Sequence, residues 1–467
     1  MKTLWLFFAA TLMVEGRTWT EADSGRTVEA EFVGRSGDQV KLRRADGREF
    51  EIALSQLVPD DREFVANQGS ADWPSWQGPN RDNRSPDTGL LKEWPEGGPE
   101  LLWTFENGGK GYSSPSITGG RIYFSGTRDG EAEIICLDEA TGKELWSTPI
   151  GDDEGQGYNT GWGGGPRGAP TISDGRLYVM SANGSVACVD IKDGSKLWGV
   201  ELVKDFGGKV PAWGYSESPL VDGEKLIVTP GGKGGAIVAL NKETGDVIWK
   251  SEGLTDDAQY SSVIIAEADG GKQYVQLFMK QFAGVDAGTG KLLWTSDWKQ
   301  GRTAVIPTPV YHDGHVYITA GYGAGSKLVK IGKDSAEEVW ENKVMKNHHG
   351  GVVLVDGHIY GFSDGAGLLC QDWKTGERVW SEKGEGLQKG AVHYADGMIY
   401  GLDEHEGSTF LAEATPDGYR EKGRFDLPKK TKLREGTNGK VWTRPVVIGG
   451  RLYLRDQDLL FCYDVKG

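Results

Sequence analysis

Apolar and polar residues alternate in short runs along most of the chain, and the runs are separated by glycine-bearing pairs. A period of two over such runs marks half-buried strands rather than helices. ITGGRIYF (117–124), TISDGRLYV (171–179), VYHDGHVYI (310–318) and VVIGGRLYL (446–454) each read as a hairpin. Their Asp-Gly and Gly-Gly pairs supply the positive φ that a tight turn needs. A second hairpin follows in most units. CLDEATGKELW (136–146), ALNKETGDVIW (239–249), GVDAGTGKLLW (284–294) and CQDWKTGERVW (370–380) share a small residue, Asp or Asn, Thr-Gly and a closing Trp. CVDIKDGSKLW (188–198) and KIGKDSAEEVW (330–340) are weaker copies. In each, the acidic or amide side chain is placed to bond the turn's own amides, and the Trp offers an apolar surface to the next unit.

The closing tryptophans stand at 146, 198, 249, 294, 340 and 380, spaced by 52, 51, 45, 46 and 40 residues. That is the length of a four-stranded propeller blade. A seventh unit starts near 390, with Phe425 in the Trp position, and an eighth runs from Pro445 to Gly467 but lacks its last strand. GPELLWTF (98–105), with Trp103 placed 43 residues before Trp146, supplies the missing strand. Closure by an N-terminal strand pairs an edge that an open array leaves bare. The expectation is an all-β chain whose residues 98–467 form an eight-bladed propeller, with seven blades as the alternative.

Residues 17–67 lack the Trp period. RTVEAEFV (26–33), DQVKLRR (38–44) and REFEIAL (48–54) predict three strands of a small SH3-like β-module, closed by the turn LSQLVPDDREFV. Residues 68–97, rich in Gly, Pro and Asn, read as a linker. Residues 1–16 read as a signal peptide: Lys2 precedes an apolar run from Leu4 to Val14 that is too short to span a bilayer. The first cysteine is Cys136, so no lipid-attachment Cys follows that run. The expected location is therefore periplasmic or secreted.

Seventy-one glycines without a collagen-like period, and 10% aromatic residues, fit many short strands and turns. A net charge of −16 argues against a nucleic-acid grip, which needs clustered Lys and Arg. Cys136, Cys188, Cys370 and Cys462 each fall two residues before an Asp, at a repeat position filled elsewhere by Ala239 and Gly284. A slot that accepts Cys, Ala or Gly is a tight core position, so four free buried thiols are expected.

These repeats resemble those of the pyrroloquinoline-quinone (PQQ)-binding-like propellers, the superfamily of the quinoprotein dehydrogenases and the outer-membrane assembly propeller BamB. In residues 17–67, Trp19, Gly25, Ala30, Phe32, Val40, Leu42, Asp46-Gly47, Leu54, Leu57 and Asp61 resemble the Sla-type homology-one domain, and the resemblance implies an interaction module. In a propeller, the loops entering the innermost strands converge on the axis. The residues there are Tyr112, Ser113, Arg167, Tyr215, Glu217, Gln259, Tyr260, Arg302, Asn347, His348, His349, Lys389, Trp442 and Arg444. They form a basic, aromatic funnel suited to a small anionic ligand or an acidic segment of an envelope protein. The resemblance also implies PQQ and calcium as cofactors of a dehydrogenase acting on an alcohol or sugar. Glu217 and Asn347 are the available calcium oxygens. No Asp base is assignable, and no two cysteines are adjacent. The leading expectation is thus a non-catalytic binding scaffold, with the dehydrogenase as the alternative. The oligomeric state is left open.

Overall fold

A computed structural model describes residues 17–36, 39–44, 48–67, 72–153, 155–298 and 303–467. The signal-peptide stretch 1–16, the Asp46-Gly47 turn and Arg302 lie outside them. The chain divides into two compact units. One runs up to Asp72 and includes Thr118–Gly120; the other comprises Trp73–Ile117 and Arg121–Gly467.

The smaller unit holds one sheet of four strands, Arg17–Thr20, Thr27–Ser36, Gln39–Arg43 and Glu49–Ala53, hydrogen-bonded in chain order. Three strands were expected; Arg17–Thr20 is the addition, paired with the strand after it. The closing segment forms a helix at Pro59–Asn67 rather than a turn. Pro59 suits the first helical position because its missing N–H would be unpaired there anyway. Trp19, Ala30, Val40, Leu42, Leu57 and Val65 make the core.

The larger unit is a propeller of eight sheets, seven of four strands and one, blade 7, of five. Blade 1 comprises Ser116–Thr118, Arg121–Arg128, Glu131–Asp138 and Glu144–Asp152, and blades 2 to 7 repeat the plan. Blade 8 joins Val446–Ile448, Arg451–Asp456 and Leu459–Asp464 to Glu100–Phe105, so the ring is closed by the strand carrying Trp103.

The repeat motif locks neighbouring blades together. Asp138 Oδ1 accepts from Thr141 N (2.9 Å) and Oγ1 (2.6 Å), and Asp286 does the same with Thr289 (2.8 and 2.7 Å). This turn brings the following glycine, at positive φ, against the tryptophan of the preceding blade. A Cβ on Gly142 would lie 2.5 Å from Trp103, and one on Gly245 2.8 Å from Trp198. In some blades the indole N–H also bonds the next blade, as Trp198 Nε1 does with Lys242 O (3.0 Å). The four cysteines are free and buried. Each sits between a Tyr and the motif aromatic on flanking strands; Cys136 pairs with Tyr123 on one side and Trp146 on the other. Two bulky rings leave room only for a small side chain, and burial pushes the Cys136 thiol up to about 12.

The stretch read as a linker does something else from Trp73 onward. It groups with the propeller and crosses the channel enclosed by the innermost strands. Trp73 exchanges backbone hydrogen bonds with Ile117 of blade 1, and Pro74 O accepts from Ile172 of blade 2. Arg81 donates to the carbonyls of Ser218 (3.1 Å), Pro219 and Val263 (2.9 Å) at the entries to blades 3 and 4. Trp76 Nε1 donates to Thr308 before blade 5 (2.9 Å), and Asn83 Nδ2 to Val392 O of blade 7 (2.6 Å). Arg84–Ser85 then adds a parallel strand inside blade 7. Gln77, Arg81 and Asn83 hold φ of 62°, 53° and 61°, in the left-handed region. Such backbone is tolerated because its polar groups find partners all round the ring. Composition suggested a spacer because Gly, Pro and Asn also build tight internal crossings.

Candidate functional site

The loops that enter the innermost strands gather some of the expected residues at one mouth of the channel and bury others in its wall. His348 and His349 lie there with their rings 5.6 Å apart. His349 Nε2 is 2.6 Å from Glu404 Oε2, which also accepts from Trp442 Nε1 (2.8 Å). Burial opposes ionisation of Glu404. The hydrogen bonds from His349 and Trp442 and the charges of His349 and Lys389 outweigh it, holding the carboxyl down to about 2. Lys389 Nζ lies 2.9 Å from His348 Nδ1 and 3.1 Å from Asp364 Oδ1. Burial, with His349 and Lys389 nearby, lowers His348 to about 4, so its ring is neutral at physiological pH.

Tyr112, Arg167 and Tyr260 line the same region. The Tyr112 ring is 5.4 Å from Trp442, and the Arg167 guanidinium sits 4.7 Å from the Tyr112 centroid. Arg167 also donates to Trp213 O (2.9 Å) and Gly163 O (2.8 Å). Tyr260 OH accepts from Trp213 N (3.2 Å).

The remaining expected residues are in the wall or deeper in the channel. Ser113 is fully buried, and its carbonyl accepts from Arg455 (2.7 Å). Tyr215 packs in the core of blades 2 and 3 with its OH donating to Pro230 O (2.8 Å). Gln259 donates to Ala258 O (3.0 Å). Arg444 is buried, 4.3 Å from the Trp76 ring centroid, and burial lowers it to about 9. Gly351 leaves the space it fills, since a Cβ there would lie 2.1 Å from the guanidinium.

The three described cations of the expected basic ring are each engaged. Arg167 is spent on carbonyls, Lys389 is paired with Asp364, and Arg444 sits beneath the mouth against the crossing segment. Arg302 lies outside the described residues. The sequence reading had missed the carboxylates of Glu404 and Asp364, because both sit in hairpin turns of a kind treated as purely structural.

Glu217 and Asn347 do not form a calcium site. Glu217 accepts from Thr229 N (2.6 Å) and Oγ1 (2.9 Å), while Asn347 Nδ2 donates to Gly351 O (3.0 Å) and Phe362 O (2.8 Å). They stand before different blades and share no partner. Burial raises Glu217 to about 7, although the Thr229 hydrogen bonds and the Arg81 charge pull the other way. Among the described residues, no group of three or more His, Cys, Asp or Glu is arranged to hold a metal ion. Among the described residues, these donors do not converge into the oxygen set that a calcium ion takes.

Trp162 and Tyr322, also missed, complete the mouth. Trp162 stacks on Trp442 at 6.2 Å and Tyr322 lies 4.4 Å from His348. Their signal in the sequence is local: each aromatic is flanked by glycines, in GWGGG and GYGAG.

Comparisons with known proteins agree with this architecture. The family model of the outer membrane protein assembly factor BamB matches residues 95–198 and 130–382, and that of SLA1 homology domain 1 matches 12–71. BamB of Burkholderia pseudomallei is 25% identical over 333 residues, 62% of this chain and 81% of that protein. A polyvinylalcohol dehydrogenase from a Pseudomonas species is 32% identical over 107 residues, 22% of this chain and only 16% of the dehydrogenase. Among solved structures, BamB from Moraxella catarrhalis aligns with a TM-score of 0.56 at 15% identity, covering 78% of this chain and 99% of that one. The quinohemoprotein alcohol dehydrogenase of Comamonas testosteroni aligns at 0.60 and 12% identity, covering 88% and 83%, a likeness of fold alone. Among the described residues, no helix is long and apolar enough to cross a membrane. With its repeats, its closed eight-bladed ring and a family match over more than half its length, the chain belongs to the BamB-like family of PQQ-type propellers.

Proposed function

We propose that this protein is an exported, non-catalytic scaffold of the cell envelope that binds a partner protein or small ligand at the aromatic mouth of its propeller. The observation that carries this reading is the state of the polar groups there. Among the described residues of the mouth, Lys389 is paired with Asp364 and Glu404 with His349, which favours a surface that holds a partner over one that reacts. Glu217, one of the two calcium ligands implied by the dehydrogenase reading, is tied into the wall by Thr229. The BamB relatives, named for outer-membrane protein assembly, support a scaffold. The apolar run at Leu4–Val14 supports a periplasmic or secreted location. Residues 17–67 form an interaction module in the same proposal.

Affinity capture from envelope extract tests this, with the full chain, a chain lacking residues 17–67 and a Trp442→Ala variant. Specific enrichment of one partner, lost in Trp442→Ala, is expected. Dye reduction with an alcohol or sugar after titration with PQQ and calcium would replace the proposal with the dehydrogenase.

A further inference from the structure

Exposed large apolar side chains fall into two groups. The aliphatic ones, such as Leu145, Leu197, Ile248 and Val379, mostly lie on the outermost strands, just before the repeat tryptophan. The aromatic ones are Trp162 and Tyr322, 43% and 40% exposed, and both belong to the axial mouth. Among the described side chains, no other Phe, Tyr or Trp is exposed. Solvated aromatic faces gathered at one mouth mark a contact surface.

The two are the ends of a continuous row. Trp162 stacks on Trp442 at 6.2 Å, and Trp442 lies 6.0 Å from His349. His349 is 5.6 Å from His348, which is 4.4 Å from Tyr322. Tyr322 also holds a φ of 55°, where a bulky residue is disfavoured and glycine or asparagine is the usual occupant. Outside the Asp-Gly hairpins and the crossing segment, Gln457 is the only other non-glycine residue at positive φ among the described residues. A strained, exposed aromatic facing a mouth is better explained by what it touches than by the fold.

The polar groups along the row choose the ligand. Lys389 and Asp364 stand 3.1 Å apart beside His348, offering a donor and an acceptor side by side. Both charges are compensated within the protein, and the chain as a whole carries −16, so an anion gains nothing here. A hydroxyl both donates and accepts, and adjacent hydroxyls match adjacent donors and acceptors. The positively polarised C–H face of a sugar ring meets the negative face of an indole or phenol.

We infer that the row from Trp162 to Tyr322 is a binding platform for a neutral saccharide chain. The sugar faces lie on Trp162, Trp442 and Tyr322, and the hydroxyls reach Lys389 and Asp364. This rests on the mouth being the binding site and names the ligand class it takes.

The test is titration of the full chain with cellohexaose, chitohexaose and maltohexaose, followed by tryptophan fluorescence and calorimetry, with decaproline as a peptide probe. Saturable binding of at least one oligosaccharide with Kd of about 1 mM or tighter is expected. Trp162→Ala and Tyr322→Gly should each weaken it about three- to tenfold. Tyr322→Gly relieves the backbone, so its Tm should hold or rise while binding falls, an outcome loss of fold cannot imitate. Leu197→Ala, on an outer strand, should bind like the wild type. Oligosaccharide binding unchanged in both aromatic variants overturns the platform. Binding of decaproline but of no oligosaccharide overturns the saccharide class and leaves the binding mouth standing. If no probe binds and envelope capture recovers no partner, the binding mouth falls too.

Discussion

Glu217 offers a direct measure of what the channel wall costs and gains. It is 2% exposed, and its pKa rises from the ordinary 4.5 to about 7 because burial outweighs its Thr229 hydrogen bonds and the nearby Arg81. At about 1.4 kcal/mol per tenfold change in proton affinity, ionising it in the native state costs about 3 kcal/mol relative to the unfolded chain. The native state therefore binds this proton more tightly than the unfolded chain does between about pH 4.5 and about pH 7. This group's contribution is fully present below that window, falls through it and is flat above about pH 8. Depressed histidines act the other way: His348 at about 4 and His393 at about 3 lose stability as pH falls below the imidazole range. A wild-type profile mixes these slopes, so the informative quantity is the difference from Glu217→Gln. Glutamine can accept from only one of the two Thr229 donors, which costs about 1–3 kcal/mol at every pH. At about pH 5 the variant should be the weaker protein. By about pH 8 the gap should close by about 3 kcal/mol. Urea unfolding followed by tryptophan fluorescence reads it, as a relative midpoint shift of up to about 1 M for a slope of about 3 kcal/mol per M. Parallel pH profiles for the two proteins would refute the assignment of a buried, reluctant carboxylate.

Three further outcomes follow from the geometry. Arg81→Met leaves three carbonyls in the channel without their donor and Glu217 without its nearby cation, and should cost about 3–5 kcal/mol in the same assay. Gly245→Ala should cost about 1–3 kcal/mol, because its φ of +79° and a Cβ 2.8 Å from Trp198 both oppose it. Gly397→Ala, at the same φ in open space, should lose about 1 kcal/mol by thermal melting and so separate the two terms. Cys136, Cys188, Cys370 and Cys462, raised by burial to about 12, 11, 12 and 12, should resist iodoacetamide in the native protein and all react in urea, as counted by mass spectrometry.

Much of the candidate site was readable as position, and little of it as role. The rule that loops entering the inner strands face the axis found His348, His349, Lys389, Trp442, Tyr112, Arg167 and Tyr260. The same rule also named Ser113, Tyr215, Asn347 and Arg444, which face the wall or the crossing segment. Adjacent residues on a loop point in different directions, and only the packing selects which one reaches the mouth. Glu404 and Asp364 were hidden because the repeat uses acidic residues in turns for structural bonds, and a side chain's second partner is invisible in one dimension.

The architecture itself was written in the chain. Period-two strands, Asp-Gly turns and tryptophans spaced by one blade length are local signals, and each copy repeats the same short-range physics. From them follow the eight sheets, closure through Trp103 and the small cysteine slots. The path of Trp73–Ser85 was decided elsewhere. Its glycines, prolines and asparagines are as compatible with a solvated spacer as with a crossing of the channel. Only the assembled ring offers Arg81 its three carbonyls and Asn83 its inner strand. The aromatic row is likewise a product of closure, since its five rings come from four separate loops that meet at the axis because the circle is complete.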